Sequence, residues 1–95
     1  MKIKQQKQIK AFLIEEFGKD RGSVLFDEQE KVLNTIIKNT KNKSKNQMKT
    51  LINTILPRIA LYKVLSKSGF TEDVVYKHMR KYMLDIVAVS YTHLT

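Results

Sequence analysis

Few side chains in this sequence have the types and spacing that chemistry requires. The 95 residues contain no cysteine, which excludes a disulfide framework, a thiolate metal site and a cysteine nucleophile within them. A metal site needs several convergent ligands, and His78 has no such neighbours in the sequence. Its position on the helical wheel lies off the apolar stripe, which indicates a solvated histidine. We therefore expect neither a metal nor a cofactor.

The carboxylates and glycines also fit structural roles. Glu15 and Glu16 lie on the surface of a predicted helix, and Asp27 and Glu28 lie near the start of the next. General acid-base catalysis depends on geometry, so adjacency of acids does not by itself predict it. A phosphate-binding loop needs clustered glycines. The three glycines are instead separate, each at a predicted helix end or turn: Gly18, Gly22 and Gly69.

The net charge of +9 is the strongest bulk feature of the chain. Such a charge can indicate a nucleic-acid or acidic-membrane partner. However, 15 of the 18 cations are lysine, and the abundance of lysine, asparagine and isoleucine is typical of AT-rich coding DNA. Arginine, which is suited to bidentate phosphate and guanine contacts, occurs only at Arg21, Arg58 and Arg80. We therefore do not expect a nucleic-acid partner.

Hydropathy gives no sign of a membrane or export segment. No uncharged apolar run approaches the roughly 18 to 20 residues that a membrane-spanning helix needs. The apolar run 11–14 near the N-terminus is too short for a signal peptide, and Glu15 follows it at once. These features predict a cytoplasmic protein without a membrane partner.

Apolar residues recur at helical spacing through most of the chain. The pattern predicts an all-α fold in which Pro57 kinks the third helix and Gly69 forms the turn of a helical hairpin. Ser23 is predicted to cap the second helix. The half of the third helix after Pro57 is apolar on several sides, so we expect it at the centre of the core. The predicted helices are four: about 2–17, 23–40, 47–68 and 72–88.

Two segments offer a nucleic-acid alternative. Residues 39–46 read NTKNKSKN, which predicts a loop, or alternatively a flexible phosphate-binding arm. Residues 62–82 resemble a DNA-binding helix-turn-helix in outline. Against the helix-turn-helix, bulky Leu65 stands four residues before Gly69, and Glu72 and Asp73 begin the helix that would contact DNA. Acidic residues there would repel phosphate.

The last eight residues, AVSYTHLT, show no helical periodicity. Codons for residues 90–94 can spell a transposase adapter used in sequencing libraries. We therefore expect residues 1–87 to be a partial helical domain and residues 88–95 to be a non-native tail. Tyr91 and His93 are accordingly left out of the functional argument.

The segment around Pro57 resembles a known family. Residues 55–65 read ILPRIALYKVL, and Gly69 and an acid-capped helix follow. This segment is similar to one in the L-2-amino-thiazoline-4-carboxylic acid hydrolase family. The resemblance covers about thirty residues, and its motif is mainly apolar, so it identifies a packing unit more than a site. The matching positions are Pro57, Ala60, Leu61, Tyr62, Leu65 and Gly69.

The resemblance implies a function. Members of the family open a cyclic amidine by hydrolysis, which requires a base for water, an acid for the leaving group and a group that binds the substrate carboxylate. Arg58 is the charged residue in the segment that could meet a carboxylate, and Tyr62 could present a hydroxyl group beside it. The catalytic residues would lie in a later half of the family that this chain lacks.

The sequence thus predicts an inactive helical fragment of a thiazoline-carboxylate hydrolase-like protein, whose full-length form binds a small molecule. Two alternatives stay open. One is a small basic DNA-binding module of the helix-turn-helix type. The other is a helical interaction domain that would dimerise through Met79 and Met83. The sequence does not specify an oligomeric state.

Overall fold

A computed structural model describes the backbone of residues 3–40 and 43–93 and the side chains as far as Met83. The described residues are helical and contain no strand, which confirms the all-α class. The prediction of four helices is wrong, because the chain is interrupted before Pro57 and starts a new helix there. The five helices are α1 (Lys4–Phe17), α2 (Lys19–Asn39), α3 (Lys45–Asn53), α4 (Leu56–Lys67) and α5 (Glu72–His93).

A single glycine joins α1 to α2. Gly18 has a φ of +92°, a conformation that glycine adopts at little cost because it lacks Cβ. Its amide donates to the Ile14 carbonyl and closes α1, and α2 begins at the next residue. The predicted cap at Ser23 is therefore wrong. The Ser23 hydroxyl lies inside α2 and donates to the Lys19 carbonyl at 2.6 Å.

Gly22 lets α1 and α2 approach each other closely. It is buried within α2 rather than in a turn, and a Cβ added there would lie 2.5 Å from the Leu13 carbonyl oxygen. Backbone atoms cannot move aside as a flexible side chain can. The missing side chain of Gly22 therefore sets the distance between the two helices.

The start of α3 is fixed by a reciprocal cap. The Gln47 amide donates to the Ser44 hydroxyl at 3.2 Å, and the Ser44 amide donates to the Gln47 side chain at 3.0 Å. This capping box satisfies two amides that a helix start otherwise leaves unpaired. Because Ser44 precedes the helix, α3 begins at Lys45 and not at Gln47 as predicted.

Pro57 lies in the first turn of α4, after a two-residue turn at Thr54 and Ile55. Proline is tolerated there because the first amides of a helix have no intrahelical acceptor. The predicted core position of this helix is confirmed. Six of its residues are buried: Leu56, Pro57, Ala60, Leu61, Val64 and Leu65.

Two apolar clusters meet along α4. The first cluster joins α4 to α1, α2 and α5 through residues such as Leu13, Leu25, Leu61 and Tyr82. The second joins α4 to α2 and α3, and its buried members are Leu33, Ile52, Leu56 and Ala60. α4 supplies residues to both clusters, so its position determines where the other helices pack.

A short turn connects α4 to α5. Gly69 has a φ of +88°, as the predicted hairpin requires, and Phe70 packs against the first cluster. The backbone of α5 is helical to His93, so the predicted end near residue 88 is wrong. The non-native origin of residues 88–95 stays a prediction, and Leu94 and Thr95 lie outside the described residues.

Hydropathy along the described helices agrees with the sequence. Within residues 3–40 and 43–93, no helix is both long and apolar enough to cross a membrane.

The contact at Gly22 gives the first testable prediction. Gly22→Ala should lower the free energy of unfolding by about 1 to 3 kcal/mol, the usual effect of forcing a methyl group into a packed site. Alanine is the better helix former by about 1 kcal/mol, so a loss would show that the clash outweighs helix propensity. Urea unfolding followed by circular dichroism measures the change. Asn34→Ala, on an exposed position of α2, is the control, and equal stability of the two variants would contradict the close contact.

Candidate functional site

The interruption before Pro57 leaves backbone carbonyls that another helix must satisfy. In a continuous helix the amide of residue 57 would donate to the carbonyl of Asn53, but proline has no amide hydrogen. Gln5 of α1 takes its place, because its side-chain amide donates to the carbonyls of Asn53 at 2.9 Å and Thr54 at 2.8 Å. α1 thereby closes the gap between α3 and α4.

A second glutamine, from α2, reaches the same region. Gln29 is fully buried, and its amide donates to the Pro57 carbonyl at 3.1 Å. It also exchanges two hydrogen bonds with Gln6 of α1, at 2.6 and 2.8 Å. A buried amide without partners would cost about 1 to 3 kcal/mol, so these three bonds explain how a glutamine lies in the middle of an apolar face.

Tyr82 of α5 completes the network. Its ring packs 5.4 Å from that of Phe12, and its buried hydroxyl donates to the Gln5 side-chain oxygen at 3.2 Å. Burial raises the pKa of Tyr82 far above its usual value, and the positive charge of Arg58 opposes part of that rise. Tyr82 therefore stays a neutral donor and cannot serve as a base near neutral pH.

Arg58, the predicted carboxylate ligand, lies partly buried next to this network. Its Nε atom is inaccessible to solvent and has no hydrogen-bond partner among the described residues. Leaving a charged donor buried without an acceptor is costly. A carboxylate supplies the matching acceptor in a geometry that suits a guanidinium group.

Tyr62, the other predicted site residue, lies one turn further along α4 and contacts a different part of α5. Its ring centroid is 5.9 Å from that of Tyr76. The contact with Tyr62 raises the pKa of Tyr76, and the carboxylate of Glu72 adds to the rise. Arg58 lies instead near Tyr82. Tyr82 follows Tyr76 by six residues, which is about 9 Å along α5 at 1.5 Å per residue. The structure therefore gives the two predicted residues separate partners.

The remaining residues of the family motif have structural roles. Pro57, Ala60, Leu61 and Leu65 are buried in α4, and Gly69 forms the turn. The relationship of this segment to the hydrolase family stays a prediction.

A separate polar cluster lies where α1 meets α5. Lys81 donates to one oxygen of Glu16 at 2.7 Å, and Nδ1 of His78 lies 3.3 Å from the other. The His78 ring packs against Phe17 and Phe70, at 4.9 and 5.7 Å between centroids. The prediction that His78 is solvated is therefore wrong, since its side chain is only 15% exposed. The pKa of Glu16 is lowered chiefly by its hydrogen bond from Lys81.

Neither Arg58 nor Tyr62 lines the two cavities described below. An open groove of about 1050 Å³ lies between α1 and α2, bordered by Lys4, Lys7, Lys10 and Phe26. A shallower one of about 360 Å³ lies at the start of α3. Gln6 is the network residue that borders the larger groove, whereas Arg58 lines neither cavity.

The chemistry available in the network is limited to binding. It offers amides, a neutral phenol and a guanidinium group, which donate hydrogen bonds and attract an anion. Within the part of the chain that the structure describes, no group of three or more histidine, cysteine or acidic residues could hold a metal ion. The network itself contains no carboxylate or imidazole that could act as a general base.

The sequence does not predict the glutamine network. The polar residues 2–8 favour a first turn that frays, whereas Gln5 is buried and Gln6 is paired. Two signals in the sequence point to the network. Gln29 interrupts an apolar stripe, and Pro57 removes an amide whose acceptor needs another donor. Neither signal identifies Gln5 or Gln6 as the partner.

Comparison with known proteins does not assign this chain to a family. No protein-family model matches it, and neither does a curated protein or a solved structure.

The network predicts a specific energetic coupling. Gln29→Leu should lower the free energy of unfolding by about 1 to 3 kcal/mol, because it leaves the Pro57 carbonyl without its buried donor and removes both bonds to Gln6. Gln6→Leu combined with Gln29→Leu should cost less than the sum of the single changes, with a coupling of about 0.5 to 3 kcal/mol. Urea unfolding of the four proteins measures it. Additive effects would show that the two side chains do not depend on each other.

The Glu16 cluster predicts a dependence of stability on pH. Because the folded-state pKa of Glu16 is lowered below its ordinary value of 4.5, its contribution is present above that value and is lost as the pH falls through the folded-state pKa. Thermal unfolding between pH 7 and pH 2.5 should show a smaller acid-induced loss for Glu16→Gln than for the parent. Glu15→Gln, at an exposed neighbour, is the control. Identical acid profiles for the parent and Glu16→Gln would contradict the assignment.

Proposed function

We propose that this chain is the helical part of a thiazoline-carboxylate hydrolase-like protein, in which Arg58 binds the carboxylate of the substrate. One observation carries the proposal: Nε of Arg58 is inaccessible to solvent and lacks a hydrogen-bond partner among the described residues, so the helices around it must move apart for a carboxylate to reach it. The resemblance of residues 55–65 to the hydrolase family supplies the class of substrate.

The interior around Arg58 suits recognition of a carboxylate. Desolvation strengthens the attraction between a guanidinium group and an anion, because the local dielectric is lower than that of water. Tyr82 stays neutral because its burial raises its pKa, so it adds no competing negative charge. The bond from Gln29 to the Pro57 carbonyl holds the start of α4, and with it Arg58, in a fixed position relative to α2.

Ring opening needs more than this network provides. Water must add to the amidine carbon, a base must take its proton, and an acid must protonate the leaving group. The amides, phenol and guanidinium group around Arg58 supply neither the base nor the acid near neutral pH. We therefore propose that these 95 residues bind the substrate carboxylate without turning the substrate over.

The alternative functions have less support. For a helix-turn-helix, the first residues of α5, Glu72 and Asp73, are exposed, and their charge opposes phosphate. Lys81, on the helix that would contact DNA, pairs with Glu16. For a dimerising domain, Met83 is 36% exposed but Met79 packs against the first cluster, which leaves only part of the predicted contact surface.

Binding of L-2-amino-thiazoline-4-carboxylate by the 95-residue chain tests the proposal. We expect a saturable change in its NMR spectrum, and a loss of affinity of about 10- to 100-fold in Arg58→Met, since a hydrogen bond to a charged group is worth about 1.5 to 3 kcal/mol. Lys63→Met, at an exposed position of α4, is the matched control and should leave the affinity unchanged.

Two results would refute the proposal. Hydrolysis of the thiazoline by the purified 95-residue chain would show that its residues suffice for catalysis. Equal affinity of the parent and Arg58→Met would show that Arg58 does not bind the carboxylate.

A further inference from the structure

The net charge of the chain comes from one continuous segment. Residues 31–71, between Glu30 and Glu72, contain nine lysine and arginine residues and no acidic residue. The other nine cations are balanced by the nine acidic residues of the chain. The whole charge of +9 therefore belongs to the region that forms the end of α2, α3 and α4.

Part of this charge forms an exposed surface at α3. We define the α3 lysine face as Lys43, Lys45 and Lys49 together with Asn46 and Thr50, all of which are exposed. The shallow cavity of about 360 Å³ opens on this face. Three lysines, one amide and one hydroxyl group are thus exposed at the start of α3, and three of these five residues, Lys43, Asn46 and Thr50, line the cavity.

The α3 lysine face is electrostatically unfavourable in isolation. The first turn of α3 contains no acidic residue, although the positive end of a helix favours negative charge and disfavours Lys45. Lys45 and Lys49 are also four residues apart on the same helix, a spacing at which like charges destabilise. An anionic partner would relieve both effects.

The structure narrows the kind of anionic partner. The apolar side of α3 is already occupied, because Ile52 is buried and Met48 and Leu51 pack against the second cluster. A helix that inserts into a lipid surface needs a free apolar face, which α3 does not have, and purely electrostatic attraction to lipid headgroups typically involves about four to eight clustered cations, more than the three lysines here. Residues 43–55 also contain no aromatic side chain for stacking on unpaired bases. A double-stranded nucleic acid, which presents phosphates in a regular array, fits these features.

We propose that the α3 lysine face binds the phosphate backbone of duplex nucleic acid without recognising its base sequence. Lysine and asparagine side chains are among those that commonly contact phosphate and sugar, whereas the Thr50 hydroxyl already donates to the Asn46 carbonyl at 3.1 Å. The face has no arginine for bidentate contacts to guanine, so sequence preference is not expected. This surface lies on α3 and differs from the α4–α5 hairpin of the helix-turn-helix alternative. It does not depend on Arg58 or on the proposed hydrolase relationship.

Fluorescence anisotropy with a labelled 20-base-pair DNA duplex tests the proposal on the 95-residue chain. The logarithm of the association constant should fall linearly with the logarithm of salt concentration between 50 and 200 mM, because bound lysines release counterions. The variant with Lys43→Gln, Lys45→Gln and Lys49→Gln should bind more weakly. Its salt slope should be smaller by about 2.7, or about 0.9 for each phosphate that a lysine no longer neutralises.

The matched control carries Lys4→Gln, Lys7→Gln and Lys10→Gln, which remove the same net charge from α1. These lysines border a groove that Glu30 also lines, so we expect the slope to change by less than about 1, the effect of a single phosphate. Circular dichroism establishes that both triple variants are folded. Two duplexes of unrelated sequence should bind with affinities within about threefold of each other, because phosphate contacts carry no sequence information.

Several outcomes would overturn the proposal. Absence of duplex binding at 50 mM salt would remove its basis, and equal losses of affinity in the two triple variants would assign the effect to net charge and not to the α3 lysine face. Tighter binding to a single strand of the same length would contradict the preference for a duplex. Tighter binding to phosphatidylserine vesicles would assign the face to a membrane surface.

Discussion

The arrangement of the helices depends on how the interruption before Pro57 is satisfied. A proline at this position prevents α3 and α4 from forming one helix, and it leaves the carbonyls of Asn53 and Thr54 without an intrahelical donor, in a partly buried position. Gln5 supplies the missing hydrogen bonds from a position 48 and 49 residues away in the sequence. Since the buried Gln5 amide would cost about 1 to 3 kcal/mol without these acceptors, the two bonds favour one position of α1 relative to the break.

The same polar network connects helices that the two apolar clusters also join. Gln29 connects α2 to Pro57, and Tyr82 connects α5 to Gln5. Hydrophobic contacts are not directional, so they do not by themselves choose among similar packings. A buried network in which each amide has its partners favours one relative position of the helices. The network therefore gives specificity to an interior whose stability comes mainly from the clusters.

Local sequence patterns predicted much of this fold. Apolar periodicity indicated the helical class and the central position of the segment after Pro57, and Gly69 marked the hairpin. The errors arose where distant contacts decide the structure. Gly22 looks like a turn residue because its tight contact with Leu13 is not visible in the sequence. The role of Gln5 depends on carbonyls 48 and 49 residues away. For the candidate site, Arg58 could be singled out by its charge, but its burial and its neighbour Tyr82 could not.

The two proposed binding features differ in the physical setting of their charges. Arg58 is partly buried, so the attraction between its guanidinium group and an anion is only weakly screened by salt and depends on the close fit of one ligand. The lysines of the α3 lysine face are exposed, so their effect extends through solvent to about a Debye length, roughly 10 Å at 0.1 M salt. Salt concentration therefore separates the two features. Binding at Arg58 is expected to persist at high salt. Binding at the α3 lysine face is expected to disappear at high salt.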